Sequence, residues 1–404
     1  MEKEISSITS ALCDDLECTP DNSFRDENNF LNELLSNSHY LAVKDYIESN
    51  NEQNQALRAR EFLDRFCIKY AKLSKNNPQN TTIEAAKNRF IDRVKNKFAD
   101  AQGEIWICGY YLEDNVEEYR LTDCIKIRKP KPDDFTSVCF VPNNIDRIKP
   151  SAVVEFQIET HLLSECDYGM NMRRAEDMII ATLSLLNTCS VRCLGLKMED
   201  IPGIISSTNN NFPLFTRPFL QLDSNRFKEI YELVKYLDEG PAKIGYDRYR
   251  IFLESSVGEA SERKITTLVN ALEAIVLSEN GELKFKFCQR ISLLLTFLGF
   301  DGLKTRDMLK ESYDIRSKYI HGSAIDEKQK KKIYDRFNMT IHELMKRIAE
   351  ITRIVLTSFL ILNVEKEEFV RCIDDSVYCE SKRKDLIDKI KSIKEDIRPS
   401  FDIK

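Results

Sequence analysis

Tyr313-Asp314-Ile315-Arg316-Ser317-Lys318-Tyr319-Ile320-His321-Gly322 decides how the C-terminal third of this chain is read. At about 100° per residue, a helix puts Leu309, Tyr313, Arg316 and Ile320 on one narrow stripe, with Met308, Ile315 and Tyr319 beside it. Lys310, Glu311, Asp314 and Lys318 take the opposite face. Arg316 therefore falls inside the apolar arc. A guanidinium keeps its proton in any protein setting, so a helix that turns one inward must supply a partner or a site. His321 follows five positions later, roughly 140° further round the helix. Gly322 can adopt the left-handed conformation that ends a helix there. An inward arginine, a histidine at the helix end and a glycine beyond it form the pattern of a site.

On both sides of this stretch the chain reads as helix. Ile265, Leu268, Val269, Leu272, Ile275 and Val276 recur at helical spacing up to Asn280-Gly281. Phe287, Ile291, Leu294, Leu295 and Leu298 do so up to Gly299, and the motif helix runs from near Gly302 to Gly322. Ile333, Phe337, Ile341, Leu344, Ile348, Ile351, Val355, Phe359 and Leu362 predict one long final helix, with Asp326 as its cap. Four amphipathic helices with short links are enough for an antiparallel bundle. Residues 364–404 read as a charged, lysine-rich helical tail.

Arg316-x4-His321 matches the Arg-x(4–6)-His motif of HEPN domains, and Arg316-Ser-Lys-Tyr-Ile-His-Gly322 closely resembles the Apea-like branch of that family. Ala271-Leu272-Glu273-Ala274-Ile275 and Asp247-Arg248-Tyr249-Arg250 are similar to the same branch, so the resemblance spans residues 241–362. It implies a compact helical fold and a metal-independent endoribonuclease that acts as a homodimer, with two motifs facing one cleft. It also implies a microbial anti-phage (abortive infection) effector. In that chemistry a neutral imidazole at His321 takes the proton from an RNA 2′-hydroxyl, and the Arg316 guanidinium holds the phosphoryl oxygens. No metal or other cofactor is expected, because the nucleophile belongs to the substrate.

Ser317 stands where many HEPN motifs carry Asn, Asp or His. Lys318 can contact a backbone phosphate or be a solvated lysine, the second being the plainer reading. Tyr319 is expected in the core rather than stacked on a base. Glu273 either anchors Arg316 or stands exposed. Two readings of the pair itself stay open: a catalytic pair, or an internal ion pair at Arg316 with His321 capping a helix. An alternative for the whole module follows: a non-catalytic HEPN domain that dimerises and binds RNA or a partner protein.

At 404 residues, with 42% hydrophobic and 31% charged residues, the chain is long enough for two or three soluble domains. The net charge of −6 argues against a surface coated for nucleic acid, but leaves room for a local basic groove. Twelve cysteines and four histidines contain no Cys-x2-Cys and no His-x3-His, the nearest pairs being Cys13/Cys18, Cys189/Cys193 and Cys372/Cys379. They predict scattered reduced thiols rather than a zinc site. Met1-Glu2-Lys3-Glu4 is unlike a signal peptide, and the apolar run Ile291–Phe300 is half a membrane span. The expected location is cytoplasmic, with no membrane partner.

The predicted fold class is α+β and predominantly helical, in four stretches. Residues 1–100 form a helical region, 101–240 an α+β region that senses a trigger or restrains the nuclease, 241–363 the bundle, and 364–404 the tail. A protein trigger would bind at the N-terminal region. Residues 1–27 read as polar and mobile. Helical spacing follows at Phe30, Leu31, Leu34, Leu35, Tyr40, Val43 and Ile47, then at Leu57, Phe62, Phe66 and Tyr70. A third helix, capped by Thr82, carries Ile83, Ala86, Phe90, Val94 and Phe98; its Lys87, Arg89, Arg93, Lys95 and Lys97 are a solvated face or, less plainly, a phosphate-contacting one. Ile105–Leu112, the alternation Tyr119, Leu121, Ile125, Ile127, and the alternation Val154, Phe156, Ile158 predict a small antiparallel sheet. Lys129–Pro132 and Val141–Asn144 read as loops, Met172–Leu186 as helix, and 206–211 as a polar loop. Phe227 to Leu237 is helical and closes at Glu239-Gly240-Pro241, the preferred domain boundary. His39, His161 and His342 carry no role, and His161 with Cys166 makes no thiol nucleophile. There is no repeat and no phosphate-binding glycine loop.

Overall fold

A computed structural model describes residues 2–19, 27–50, 60, 63–64, 66–68, 70–72, 74–75, 80–95, 101–131, 150–158, 168–187, 191–198, 204–206, 216–235, 237, 240–255, 258–279 and 281–396. It is mostly helical with a small antiparallel sheet, the α+β class that the periodicities predict. Two compact units divide it. Residues 1–180, 192–210 and 217–225 form one, and residues 181–191, 211–216 and 226–404 the other.

The first unit opens with α1 (Glu2–Cys18), α2 (Glu27–Leu34), α3 (Ser38–Asn50) and α4 (Asn80–Lys95). The mobile start expected of residues 1–27 is corrected by α1. Ile5, Leu12, Cys13 and Leu16 are buried in one core with Phe30, Tyr40, Val43 and Phe90, although serines and acids between them dilute the stripe in the sequence. The Phe66 and Phe90 rings stack with centroids 3.7 Å apart. α4 begins at Asn80, so Thr82 lies inside the helix rather than capping it. Lys87, expected on the outward basic face, hydrogen-bonds Asp14 of α1 at 2.5 Å. Leu57, Phe62, Lys97 and Phe98 lie outside the described residues.

The chain then runs through β1 (Ala101–Cys108), β2 (Tyr110–Tyr111), β3 (Glu118–Arg120), β4 (Ile125–Arg128), β5 (Ala152–Ile158), α5 (Tyr168–Leu186), β6 (Arg192–Met198), β7 (Ile204–Ser206) and β8 (Arg217–Pro218). Six strands lie in the order β3-β4-β5-β1-β6-β7, each neighbour antiparallel, while β2 and β8 pair parallel. Trp106 of β1 sits opposite Val153 and Gly195, with a bulge before Ile107. β6 is absent from the sequence reading because Cys193, Leu194 and Leu196 are all buried, which removes the polar alternation of a half-exposed strand. Pro132, Val141–Asn144, His161 and Cys166 lie outside the described residues.

After α6 (Gln221–Val234) the second unit is helical: α7 (Gly240–Glu254), α8 (Ser261–Val276), α9 (Leu283–Phe297), α10 (Gly302–Ile320), α11 (Glu327–Phe337), α12 (Ile341–Leu362), α13 (Lys366–Tyr378) and α14 (Glu380–Asp396). α8 is its centre. Ile265, Leu268, Val269, Leu272 and Ile275 have no solvent exposure, and the helix packs on α7, α10 and α12. Each such side chain contributes roughly 1.5–3 kcal/mol by leaving water. Gly245 lets α7 approach closely, since a Cβ there would meet Ile275 Cδ1 at 2.9 Å and Leu356 Cδ2 at 3.1 Å.

The long helix expected after Asp326 is two helices. Asp326 does cap the first, accepting the Gln329 N–H at 2.7 Å. Asn338 then turns left-handed at φ 53°, and Thr340 starts α12 with a reciprocal cap: its hydroxyl accepts from Glu343 N, while Glu343 Oε2 accepts from Thr340 N at 2.6 Å. Residues 364–404 are more than a charged tail, because Phe369, Val370 and Ile373 of α13 and Leu386 and Ile390 of α14 are buried. Among the described residues no helix is long and apolar enough to cross a membrane.

Candidate functional site

The end of α10 is fixed by its backbone. Gly322 adopts φ 77°, its N–H bonds Tyr319 O at 3.1 Å, and Ser323 N–H reaches back to Lys318 O at 2.9 Å. These two bonds close the last turn in the Schellman pattern and make His321 the capping residue. At the other end, Asp301 accepts the Lys304 N–H at 2.9 Å. The helix therefore starts and stops where its sequence predicts.

Arg316 reaches across to α8. Its Nε donates to Asn270 Oδ1 at 3.2 Å and its Nη2 to Glu273 Oε2 at 3.0 Å. Of the two open readings of Glu273, the structure has the anchor. Tyr313, one helical turn before Arg316, lies within the field of the same carboxylate, and its ring centroid lies 5.6 Å from the guanidinium carbon. Burial, and then the Glu273 charge, push the Tyr313 phenol above its ordinary value. Arg316 is half-buried, with 27% of its side chain exposed, and Nη1 has no hydrogen-bond partner among the described residues. The group is oriented on two sides and open on a third.

His321 stands exposed at the helix end. One chain does not bring the pair together, since five helical residues separate them by about 7.5 Å along the axis and roughly 140° around it. Ser317 accepts the His321 N–H through its backbone carbonyl at 3.2 Å. Lys318 is not the solvated lysine of the plainer reading. It is half-buried and donates to Gln329 Oε1 at 2.7 Å. Tyr319 is not core: it is 40% exposed, and Ile320 beside it 50%, because the apolar stripe outruns the helices that cover it.

The face expected to be polar is partly covered as well. Glu311 is buried, accepting from Gln329 Nε2 at 3.0 Å and Lys332 Nζ at 2.7 Å, so α11 lies over it. Asn270 is the residue that sequence reasoning missed. Its signal was position: it precedes Glu273 by one helical turn, on the half-buried strip of α8 that also carries Thr267 and Ala274. A small pocket opens at the opposite end of α10, among Phe300, Thr305, Met308, Met339 and Ile351, and none of the motif residues lines it. Among the described residues no group of three His, Cys, Asp or Glu is placed to hold a metal ion. Compared with protein-family models, with curated proteins and with solved structures, the chain matches none.

Proposed function

We propose that this protein is a metal-independent endoribonuclease of the HEPN type, with Arg316 and His321 as its catalytic residues. The observation that carries the reading is the state of Arg316: a guanidinium oriented by Asn270 and Glu273, with Nη1 open, one and a half turns before an exposed capping histidine. The resemblance of Arg316–Gly322 to the Apea-like motif supports it. His321 takes the proton of an RNA 2′-hydroxyl, whose oxygen attacks the adjacent phosphorus. Arg316 neutralises the charge that builds on the phosphoryl oxygens. The 5′-oxygen leaves and takes up a proton, giving a 2′,3′-cyclic phosphate and a 5′-hydroxyl. DNA, which lacks the attacking hydroxyl, is inert.

Because one chain holds the two groups apart around α10, the active form is a homodimer through the C-terminal bundle, each phosphate meeting Arg316 of one copy and His321 of the other. The cellular role is antiviral defence, with residues 1–240 sensing a trigger, such as a protein, or restraining the nuclease. Incubating mixed RNA with the protein, with His321→Ala and with Arg316→Ala tests the assignment. Wild type yields 5′-hydroxyl fragments and both variants do not; equal cleavage by all three rejects it. A monomer by light scattering at micromolar concentration, still active on RNA, rejects the dimer.

A second reading rests on the Arg316–Glu273 ion pair, which gives the arginine a structural partner. In it the bundle is a non-catalytic module that dimerises and binds RNA or a partner protein. It requires RNA binding that survives His321→Ala, with no 5′-hydroxyl fragments from wild type.

A further inference from the structure

We propose that Arg248 is a second phosphate-holding residue of the Arg316 site, an inference that rests on the RNA-directed reading of that site. α7 and α10 both pack on α8. From α7, Arg248 Nη1 donates to the Asn270 carbonyl at 2.5 Å; from α10, Arg316 Nε donates to the Asn270 side-chain oxygen at 3.2 Å. Guanidiniums from two helices are thus tied to one residue.

Charge sets this arrangement apart from the buried arginines Arg290 and Arg353 of the same unit. The buried Arg290 is matched by Glu279 and Asp374, and the buried Arg353 by Glu350. Arg248 is half-buried and makes no ion pair among the described residues, since the neighbouring Asp247 is bound to Lys243 at 2.5 Å. Glu273 alone stands against two guanidiniums, leaving one positive charge over. The carbonyl that holds Arg248 belongs to a helical residue and is neutral, so it offsets only part of the desolvation of a cation.

Donors are in surplus too. Arg316 Nη1, Arg248 Nε and Nη2, and Asn270 Nδ2 have no hydrogen-bond partner among the described residues. Ile244 and Ile251, which share the Arg248 stripe of α7, are 48% and 56% exposed, so that stripe is reachable from solvent. A phosphodiester supplies what is missing: a negative charge and several acceptor oxygens in the fork geometry that guanidiniums match. Arg316 meets the scissile phosphate, and Arg248 holds that phosphate or its neighbour in register.

The test uses the full chain and a fluorescent 2′-O-methyl RNA oligonucleotide, which lacks the attacking hydroxyl and stays intact. Anisotropy titrations at several salt concentrations give affinity and its salt slope, and urea titration confirms folding. Arg248→Gln is expected to weaken binding about tenfold and to lower the salt slope by about one. Arg248→Lys keeps the slope and loses several-fold in affinity, because a point charge replaces the fork. Wild-type affinity and slope in Arg248→Gln overturn the inference, as does wild-type affinity in Arg248→Lys if the Gln variant unfolds. So does a wild type that binds no RNA. A wild type that binds but never cuts, with the Gln variant behaving as expected, removes the nuclease assignment and leaves Arg248 in place. Cleavage by wild type with unchanged binding in Arg248→Gln removes Arg248 alone.

Discussion

Glu273 Oε2 lies 3.0 Å from Arg316 Nη2, and the charge of the same carboxylate helps push the Tyr313 phenol above its ordinary value. One acid on α8 therefore fixes the guanidinium that α10 turns toward it. The pair is partly open, with 15% of the Glu273 side chain and 27% of the Arg316 side chain exposed, so the guanidinium is aimed without being sealed in.

Glu273→Gln separates aiming from charge. Glutamine keeps an acceptor oxygen but removes the anion that offsets Arg316, so the site becomes more positive and less ordered. RNA affinity is expected to rise about two- to threefold while kcat falls about fivefold, since orientation matters to the transition state more than to the ground state. Steady-state cleavage kinetics and anisotropy on the same oligonucleotide read the two halves. A parallel fall in both would assign Glu273 to folding alone.

His321→Ala is expected to leave stability within about 0.5 kcal/mol of wild type, because the imidazole is exposed and the cap is made by backbone bonds that alanine keeps. RNA cleavage falls about a hundredfold or more if the imidazole is the base. Urea midpoints beside initial cleavage rates decide. A variant that is folded and fully active ends the catalytic role of this residue.

How much of this was legible in the sequence depended on what each signal reports. The C-terminal bound of α10 was, because Gly322 acts on its own backbone neighbours. The inward arginine was too, since helical phase is local. The exposure of Tyr319 and the burial of Glu311 were not: both depend on where α11 and the neighbouring helices end, which phase cannot report. Asn270 was hidden for a related reason, as an asparagine on a helix has no meaning until another helix brings an arginine to it. The split at Asn338 was in fact written in Thr340-Ile341-His342-Glu343, a capping box masked by continuous apolar spacing. α1 was lost because its few apolar residues needed Phe30 and Phe90 beside them to form a core.

Gly322→Ala tests the helix end. The glycine sits at φ 77°, and an added Cβ would meet nothing within 4 Å, so the substitution adds backbone strain without a clash. The expected loss is about 1–2 kcal/mol in urea titration. Relaxing that strain means unwinding the turn that places His321, so cleavage should fall by more than the fraction unfolded explains. A loss of stability with undiminished specific activity would detach the Schellman turn from function.

Arg290 of α9 gathers Glu279, from the link after α8, and Asp374 of α13, with Nη2 2.5 Å from Glu279 Oε1 and 2.7 Å from Asp374 Oδ2. Hydrogen bonds from Arg290 outweigh desolvation, Lys286 adds to them, and the Glu279 carboxyl is held well below the usual carboxylate range. A carboxylate whose folded pKa is depressed binds fewer protons folded than unfolded, so its stabilisation is present above the unfolded value of about 4.5 and drains away as pH falls below it. Glu279→Gln should therefore be less stable than wild type at neutral pH, with the gap narrowing steadily once the pH drops under about 4.5. Urea midpoints for both proteins from neutral to about pH 3 give the two curves. A gap of constant width would mean that Glu279 contributes packing rather than charge, and that α8, α9 and α13 are held together without the Arg290 network.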